Sequence, residues 1–238
     1  MVNALLTFVI LSTASAAVQN FYVRDTNGNN CIVLEAEPTF TVKFVVPSKN
    51  TTESYETKIG KITNVTGDCH AVYGNNESAQ TLTVSFLPEG YSAKFAKEWI
   101  LELVFGTPAK ESYKLVDYTL TTQQTEKIKY FGDFIKDPKA KETVSASEEN
   151  CYKCSNSNLD LAGGSQVHLK NLRVVAFGNI NGTLLPANTP YELCLQDTRT
   201  SDLVPIIVGA CLAALVIIVL CAYLVGRARA KRAGYASV

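Results

Sequence analysis

A chain of 238 residues is long enough for one sizeable core or two small ones. Its 22 basic and 22 acidic residues cancel, yet every acidic residue lies at or before Asp202 and four basic ones follow it. Between its two apolar segments the body holds 18 basic against 22 acidic residues, which excludes a nucleic-acid-binding surface there.

The first apolar segment, Ala4 to Leu11, is too short to span a bilayer, and small residues follow it from Ser12 to Ala17. Ala14-x-Ala16 fits the small-residue rule of signal peptidase, so residues 1–16 are predicted to be a cleaved signal peptide. Residues 17–202 then form the lumenal part. Its dominant pattern is alternation at period two. Phe40 to Phe44 and Leu82 to Phe86 alternate strictly, and Trp99 to Phe105 reads as a more buried strand ending at Gly106-Thr107-Pro108. Tyr113 to Leu120 and Val167 to Phe177 add further strands. Turn signals separate them at Asn27-Gly28, Tyr73 to Asn76, Pro88-Glu89-Gly90, Gly163-Gly164 and Asn181-Gly182. Lys136 to Asn150 is charged and poor in apolar residues, so it is expected to be a solvated connection. With no internal repeat and no hinge, the prediction is one antiparallel all-β domain, a sandwich, barrel or prism.

The second apolar segment, Leu203 to Gly226, has no charge along its whole length. As a helix its 24 residues reach about 36 Å, enough for a hydrocarbon core of about 30 Å with some tilt. Ser201 or Asp202 is placed to cap it, with Pro205 in the first turn. Arg227, Arg229, Lys231 and Arg232 follow at once, so the positive-inside rule puts residues 227–238 in the cytosol.

Of seven cysteines, Cys211 and Cys221 fall in the membrane segment, leaving five in the lumenal part. The secretory route is oxidising, so most should pair, and an odd number leaves one over. Cys151-Tyr152-Lys153-Cys154 has redox or zinc-ligand spacing, but no strand–helix alternation surrounds it and no second ligand pair completes a metal site. Structural disulfides are the preferred reading, with no metal and no cofactor. Sequons at Asn50, Asn64, Asn76 and Asn181 make these four the expected N-glycan acceptors. Only His70 and His168 could serve as imidazole bases, and no hydrolase, metalloprotease, P-loop or dinucleotide motif is present. No catalytic residue is assigned, and the chain is not expected to be an enzyme.

The last residues, Gly234-Tyr235-Ala236-Ser237-Val238, place a bulky apolar residue three positions after a tyrosine. This is the YxxΦ sorting pattern. Such a peptide binds as an added strand, with Tyr235 and Val238 filling separate pockets. The run Leu203-Val204-Pro205-Ile206-Ile207-Val208-Gly209-Ala210, then Ile218 to Arg227 and the terminal Gly-Tyr-x-x-Φ, closely resembles the lysosome-associated membrane glycoprotein (LAMP) family. Asn27-Gly28-Asn29-Asn30-Cys31, Tyr152-Lys153-Cys154, Val174 to Phe177 and Glu192-Leu193-Cys194 extend the resemblance over about residues 20–238.

The resemblance implies a β-prism-like domain stapled by two disulfides, each closing a loop of just under forty residues. Carried onto this chain, the pairs are Cys31–Cys69 and Cys154–Cys194, with Cys151 as the extra cysteine. Better-known members have two such domains joined by a hinge; here a single domain is expected. The implied function is that of a structural and trafficking glycoprotein of the lysosomal and late-endosomal limiting membrane, supporting lysosome biogenesis and integrity. Its tail partners would be clathrin-adaptor medium subunits. An alternative is a sorting or adhesion receptor whose lumenal domain binds a membrane-protein cargo or a lipid.

Overall fold

The computed structural model describes residues 18–46, 51–92, 94, 97–109, 112–126, 128, 131–141, 144–148 and 150–234. The predicted signal peptide lies outside these residues. Among them are β1 (Gln19–Arg24), β2 (Asn30–Val46), β3 (Thr51–Tyr73), β4 (Glu77–Pro88), β5 (Trp99–Ala109) and β6 (Ser112–Thr122). There follow β7 (Gly132–Ile135), β8 (Ser145–Ser147), β9 (Cys151–Leu161), β10 (Ser165–Val175), β11 (Tyr191–Leu193) and one helix, α1 (Leu195–Gly234). By internal contacts the chain divides after Glu192 into a β unit and a helical unit.

In the β unit the strands hydrogen-bond in the order β11-β9-β10-β2-β3-β4-β5-β6-β7, with β1 on β2 and β8 on β6. The path folds over at β3. Thr51–Lys58 pairs with β2, whereas Ile59–Tyr73 pairs with β4, so one strand serves two half-sheets. Gly67 lies in the second part. A Cβ there would collide with the Thr81 carbonyl of β4 and the Val23 side chain of β1, so the close approach of β1 over β3 requires glycine.

The core lies between the two half-sheets, filled by the inward residues of each strand. Phe40 of β2 stacks on Phe86 of β4 at 4.7 Å between centroids, and Phe86 meets Trp99 of β5 at 6.2 Å. All three rings are fully buried. Trp99 satisfies its indole by donating to the Gln123 carbonyl at 3.0 Å. Two tyrosines of β6 join the half-sheets by their hydroxyls. Tyr118 donates to the Asp160 carbonyl at 2.9 Å, and burial pushes its phenol up to about 12. Tyr113 donates to the Val174 carbonyl at 2.7 Å, lies 3.1 Å from the Asn150 carbonyl, and accepts from the Tyr152 amide at 3.1 Å. Burial also pushes the Tyr113 phenol far up, so it stays a neutral donor.

Removing that hydroxyl alone should be costly. Tyr113→Phe leaves buried backbone groups of β9 and β10 unpaired and is expected to destabilise by about 1–3 kcal/mol. Urea unfolding followed by circular dichroism checks this; a change below about 0.5 kcal/mol would contradict the clasp.

Two expectations are corrected. The Lys136–Asn150 stretch is not wholly a solvated connection: β8 lies within it, with Val144 and Ala146 buried. Two alternating apolar residues suffice for a three-residue strand but give little pattern to read. Lys136 also bridges Leu161, bringing the end of β7 to β9. The helix is longer than its apolar part. It starts at Leu195, where Asp197 and Thr198 donate backbone N–H groups to the Cys194 carbonyl, and runs 40 residues to Gly234. Asp197 in the first turn complements the helix dipole. Pro205 is therefore inside the helix, not in its first turn, and Ser201 and Asp202 fall within the helix rather than at its start.

Candidate functional site

Three kinds of feature carry the chemistry: cysteines, sequons, and the membrane-crossing helix with its tail. Cys31, near the start of β2, is bonded to Cys69 of β3, with Cα atoms 5.9 Å apart. Both are buried, and Gln80 of β4 lies against the bond. Its Nε2 donates to the Cys69 carbonyl, and its Oε1 accepts from the Phe177 amide at 2.8 Å. The Gly178 amide donates to the Cys31 carbonyl, so this disulfide sits where both half-sheets meet the segment after β10. Cys154 and Cys194 are also disulfide-bonded.

Cys151 is a free and buried thiol. It packs with Val33, Val175 and Leu185, and burial pushes its thiol up while Arg173 opposes that shift. Arg173 itself pairs with Glu35 at 2.8 Å across β10 and β2, and the second Glu35 oxygen accepts from the Leu185 amide at 3.0 Å. Cys151 and Cys154 are thus in different states, one reduced and one bonded, rather than a redox pair with each other. Sequence reading missed the Glu35–Arg173 pair. Two residues 138 positions apart leave no local signal.

The sequons occupy distinct places. Asn64 is exposed on the outward side of β3, and a register shift between Ile62 and Asn64 marks a bulge just before it. Asn76 is exposed in the β3–β4 turn at φ 64°, a left-handed conformation that asparagine tolerates. Asn181 is exposed just after the isolated bridge between Asn30 and Ile180. Asn50 lies outside the described residues. His70 is exposed, and His168 contacts Asn158 through Nδ1 at 2.9 Å.

Glu192 of β11 is a second feature that sequence reading missed. One of its oxygens accepts from Ser147 N, Ser147 Oγ and Asn150 Nδ2 at 2.8–3.1 Å. These bonds, the Asn150 amide foremost, hold its carboxyl below the usual carboxylate range. A depressed folded pKa gives stability that is present above the unfolded value, about 4.3, and is lost as pH falls through the folded one. The clasp between β8 and β11 should therefore survive mild acid. Glu192→Gln is expected to lower the melting temperature at pH 7 and pH 5 alike, with the difference from wild type closing below about pH 4. Scanning calorimetry over that range checks it; a difference that instead grows in acid would contradict the assignment.

In the helical unit, Ile206–Arg227 is 22 residues of mean hydropathy 2.9, long and apolar enough to cross a membrane. Its large apolar side chains, Ile206 to Val225, are exposed, as lipid contact requires. Arg227 and Arg229 continue on the helix, which ends at Gly234. Tyr235 and Val238 lie outside the described residues.

A stapled antiparallel β unit followed by one lipid-compatible helix defines a single-pass membrane protein. Comparison with known proteins narrows the class. A family model described as "Lysosome-associated membrane glycoprotein 2, transmembrane segment" matches residues 204–236. Lysosome-associated membrane glycoprotein 1 of Gallus gallus is 43% identical over 94 residues, which cover 39% of this chain. The match spans only 21% of that relative's length. Among solved structures, the membrane-proximal domain of mouse LAMP-1 aligns with TM-score 0.55 and 18% identity, over 77% of this chain and 99% of that one. Human LAMP-3 aligns with TM-score 0.53 and 14% identity, over 75% and 99% respectively. These structural likenesses bear on the fold. Residues 204–236 are thus similar to the membrane segment of lysosome-associated membrane glycoproteins, and the β unit shares the fold of their solved domains.

Proposed function

We propose that this protein is a structural and trafficking glycoprotein of the lysosomal and late-endosomal limiting membrane. Its β unit would face the lumen, N-glycosylated at Asn50, Asn64, Asn76 and Asn181 and stapled by Cys31–Cys69 and Cys154–Cys194. Its tail would carry the address. The single observation that best supports this reading is the family match over residues 204–236, which runs through the membrane segment, the basic cluster and Tyr235. The four basic residues after Gly226 favour a cytosolic C-terminus. An N-terminal signal peptide over residues 1–16 completes the type I arrangement.

On this reading the molecule makes no bond and breaks none. Buried disulfides, a core closed between two half-sheets and surface glycans resist lumenal proteases. Tyr235 and Val238 present an extended peptide to the medium subunit of a clathrin adaptor. An aromatic anchor in a pocket contributes about 2 kcal/mol or more, so Tyr235→Ala should cost about thirtyfold or more in adaptor affinity. The test is a titration of the adaptor medium subunit with the tail peptide 227–238. Equal affinity of wild-type and Tyr235→Ala peptides would remove the sorting signal from the account.

A further inference from the structure

We propose that the outward face of β4, β5 and β6 is a docking surface for the oligosaccharide carried by Asn64, with Ile100 as its apolar platform. This rests on Asn64 being glycosylated, as the proposed function has it.

Register places the occupant. Asn64 pairs with Ser85, Ser85 with Ile100, and Ile100 with Thr121, so these four side chains form one row across the sheet on the same face. Their inward neighbours Phe86, Trp99 and Leu120 are fully buried, which fixes the row as outward. Neighbouring strands lie about 4.8 Å apart, so Ile100 is about 10 Å from Asn64 along the row. The two N-acetylglucosamine rings at the base of an N-glycan span that distance. Ile100 is 37% exposed, a large aliphatic residue flanked along its row by Ser85 and Thr121.

Surface chemistry agrees with a sugar. The next row, Thr66–Thr83–Glu102–Thr119, offers hydroxyls and one carboxylate, and neither row contains lysine or arginine. Sugar hydroxyls need neutral donors and acceptors with carboxylate acceptors among them, and the acetamido methyl groups need an apolar patch. The outward side of the other half-sheet differs. There Lys170 pairs with Glu37, and Lys43 and Lys58 stand exposed on β2 and β3, giving a mixed-charge surface. Asn76, at the tip of the β3–β4 turn, lies beside exposed Val72 and Tyr73 and off these rows, so its release serves to show that a change at Ile100 acts locally.

The experiment uses the full-length chain made in a glycosylating eukaryotic cell and purified in detergent. Native protein is treated with peptide-N-glycosidase, and release at each sequon is followed by mass spectrometry. Release at Asn64 should be about tenfold slower in the wild type than in Ile100→Ser, the amount that burying an aliphatic side chain supplies. Release at Asn76 and Asn181 should be the same in both proteins. Occupied Asn64 released equally fast from wild type and Ile100→Ser overturns the docking surface alone. Unoccupied Asn64 overturns both the docking surface and the glycan assignment at that position.

Discussion

Replacing Cys31 and Cys69 together by serine is expected to lower the stability of the β unit by about 4 kcal/mol. The bond spans 38 positions, and the chain-entropy cost of opening a loop of that size gives this figure. Domains are commonly stable by only about 5–15 kcal/mol, so the loss is a large fraction of the total. The double variant is the correct comparison, because a single serine would leave a reactive thiol. Local consequences should follow the hydrogen bonds. Gln80 links the Cys69 carbonyl to the Phe177 amide, so the segment after β10 should exchange its amides faster once the bond is gone. A fall in melting temperature of about 8–16 °C is expected for a unit of this size. A fall of less than about 3 °C would mean that the bond adds little to a fold already closed by its core.

Trp99→Ala should destabilise by about 3–5 kcal/mol, the cost of removing a fully buried aromatic side chain. Trp99 is packed beside Phe86, which in turn stacks on Phe40 from the other half-sheet. The cavity would open where the half-sheets meet, and the Gln123 carbonyl would lose its indole donor. Its neighbour on the strand supplies the control. Ile100 points outward, so Ile100→Ser should cost about 1 kcal/mol or less. Denaturant midpoints read by circular dichroism distinguish the two, since Trp99 is the chain's only tryptophan and fluorescence is lost with it. Comparable losses at both positions would contradict the inward and outward assignment of β5.

Where the chain alternates, the fold was legible. Phe40 to Phe44, Leu82 to Phe86 and Trp99 to Phe105 fall within strands, and Val167 to Phe177 does so as far as Val175, with the alternate apolar residues inward and Ile100 outward. The 23-residue β3 was not legible, for a physical reason. It leaves one half-sheet for the other, carries register shifts near Ile59, Ile62 and Asp68, and is exposed along most of its length. No single face persists long enough to write a period-two pattern. β10 shows a milder case, where Asn171 at φ 52° interrupts the alternation between Leu169 and Leu172. In the helical unit hydropathy marked the membrane-crossing part well, but helix ends depend on backbone partners. Leu195 to Asp202 is polar enough to read as a connection, yet it is helical from the Cys194 carbonyl onward.

At the candidate site the division is similar. Cysteines, sequons and the tail motif are written in residue identity, so sequence alone lists them. Tyr113, Glu192 and the Glu35–Arg173 pair act through partners on distant strands, which only the folded register brings together. The state of Cys151 belongs with these. Its spacing from Cys154 suggests a reactive pair, whereas its packing against Val33, Val175 and Leu185 makes it a small apolar residue.

Where the molecule resides tests the proposed function most directly. Surface biotinylation and lysosomal co-sedimentation of the full chain, wild type and Tyr235→Ala, made at matched levels, measure that. Wild-type protein is expected in the lysosomal fraction and Tyr235→Ala displaced several-fold to the cell surface, with unchanged melting of the β unit. Tyr235→Ala no more exposed at the surface than wild type would contradict the tail-directed lysosomal assignment.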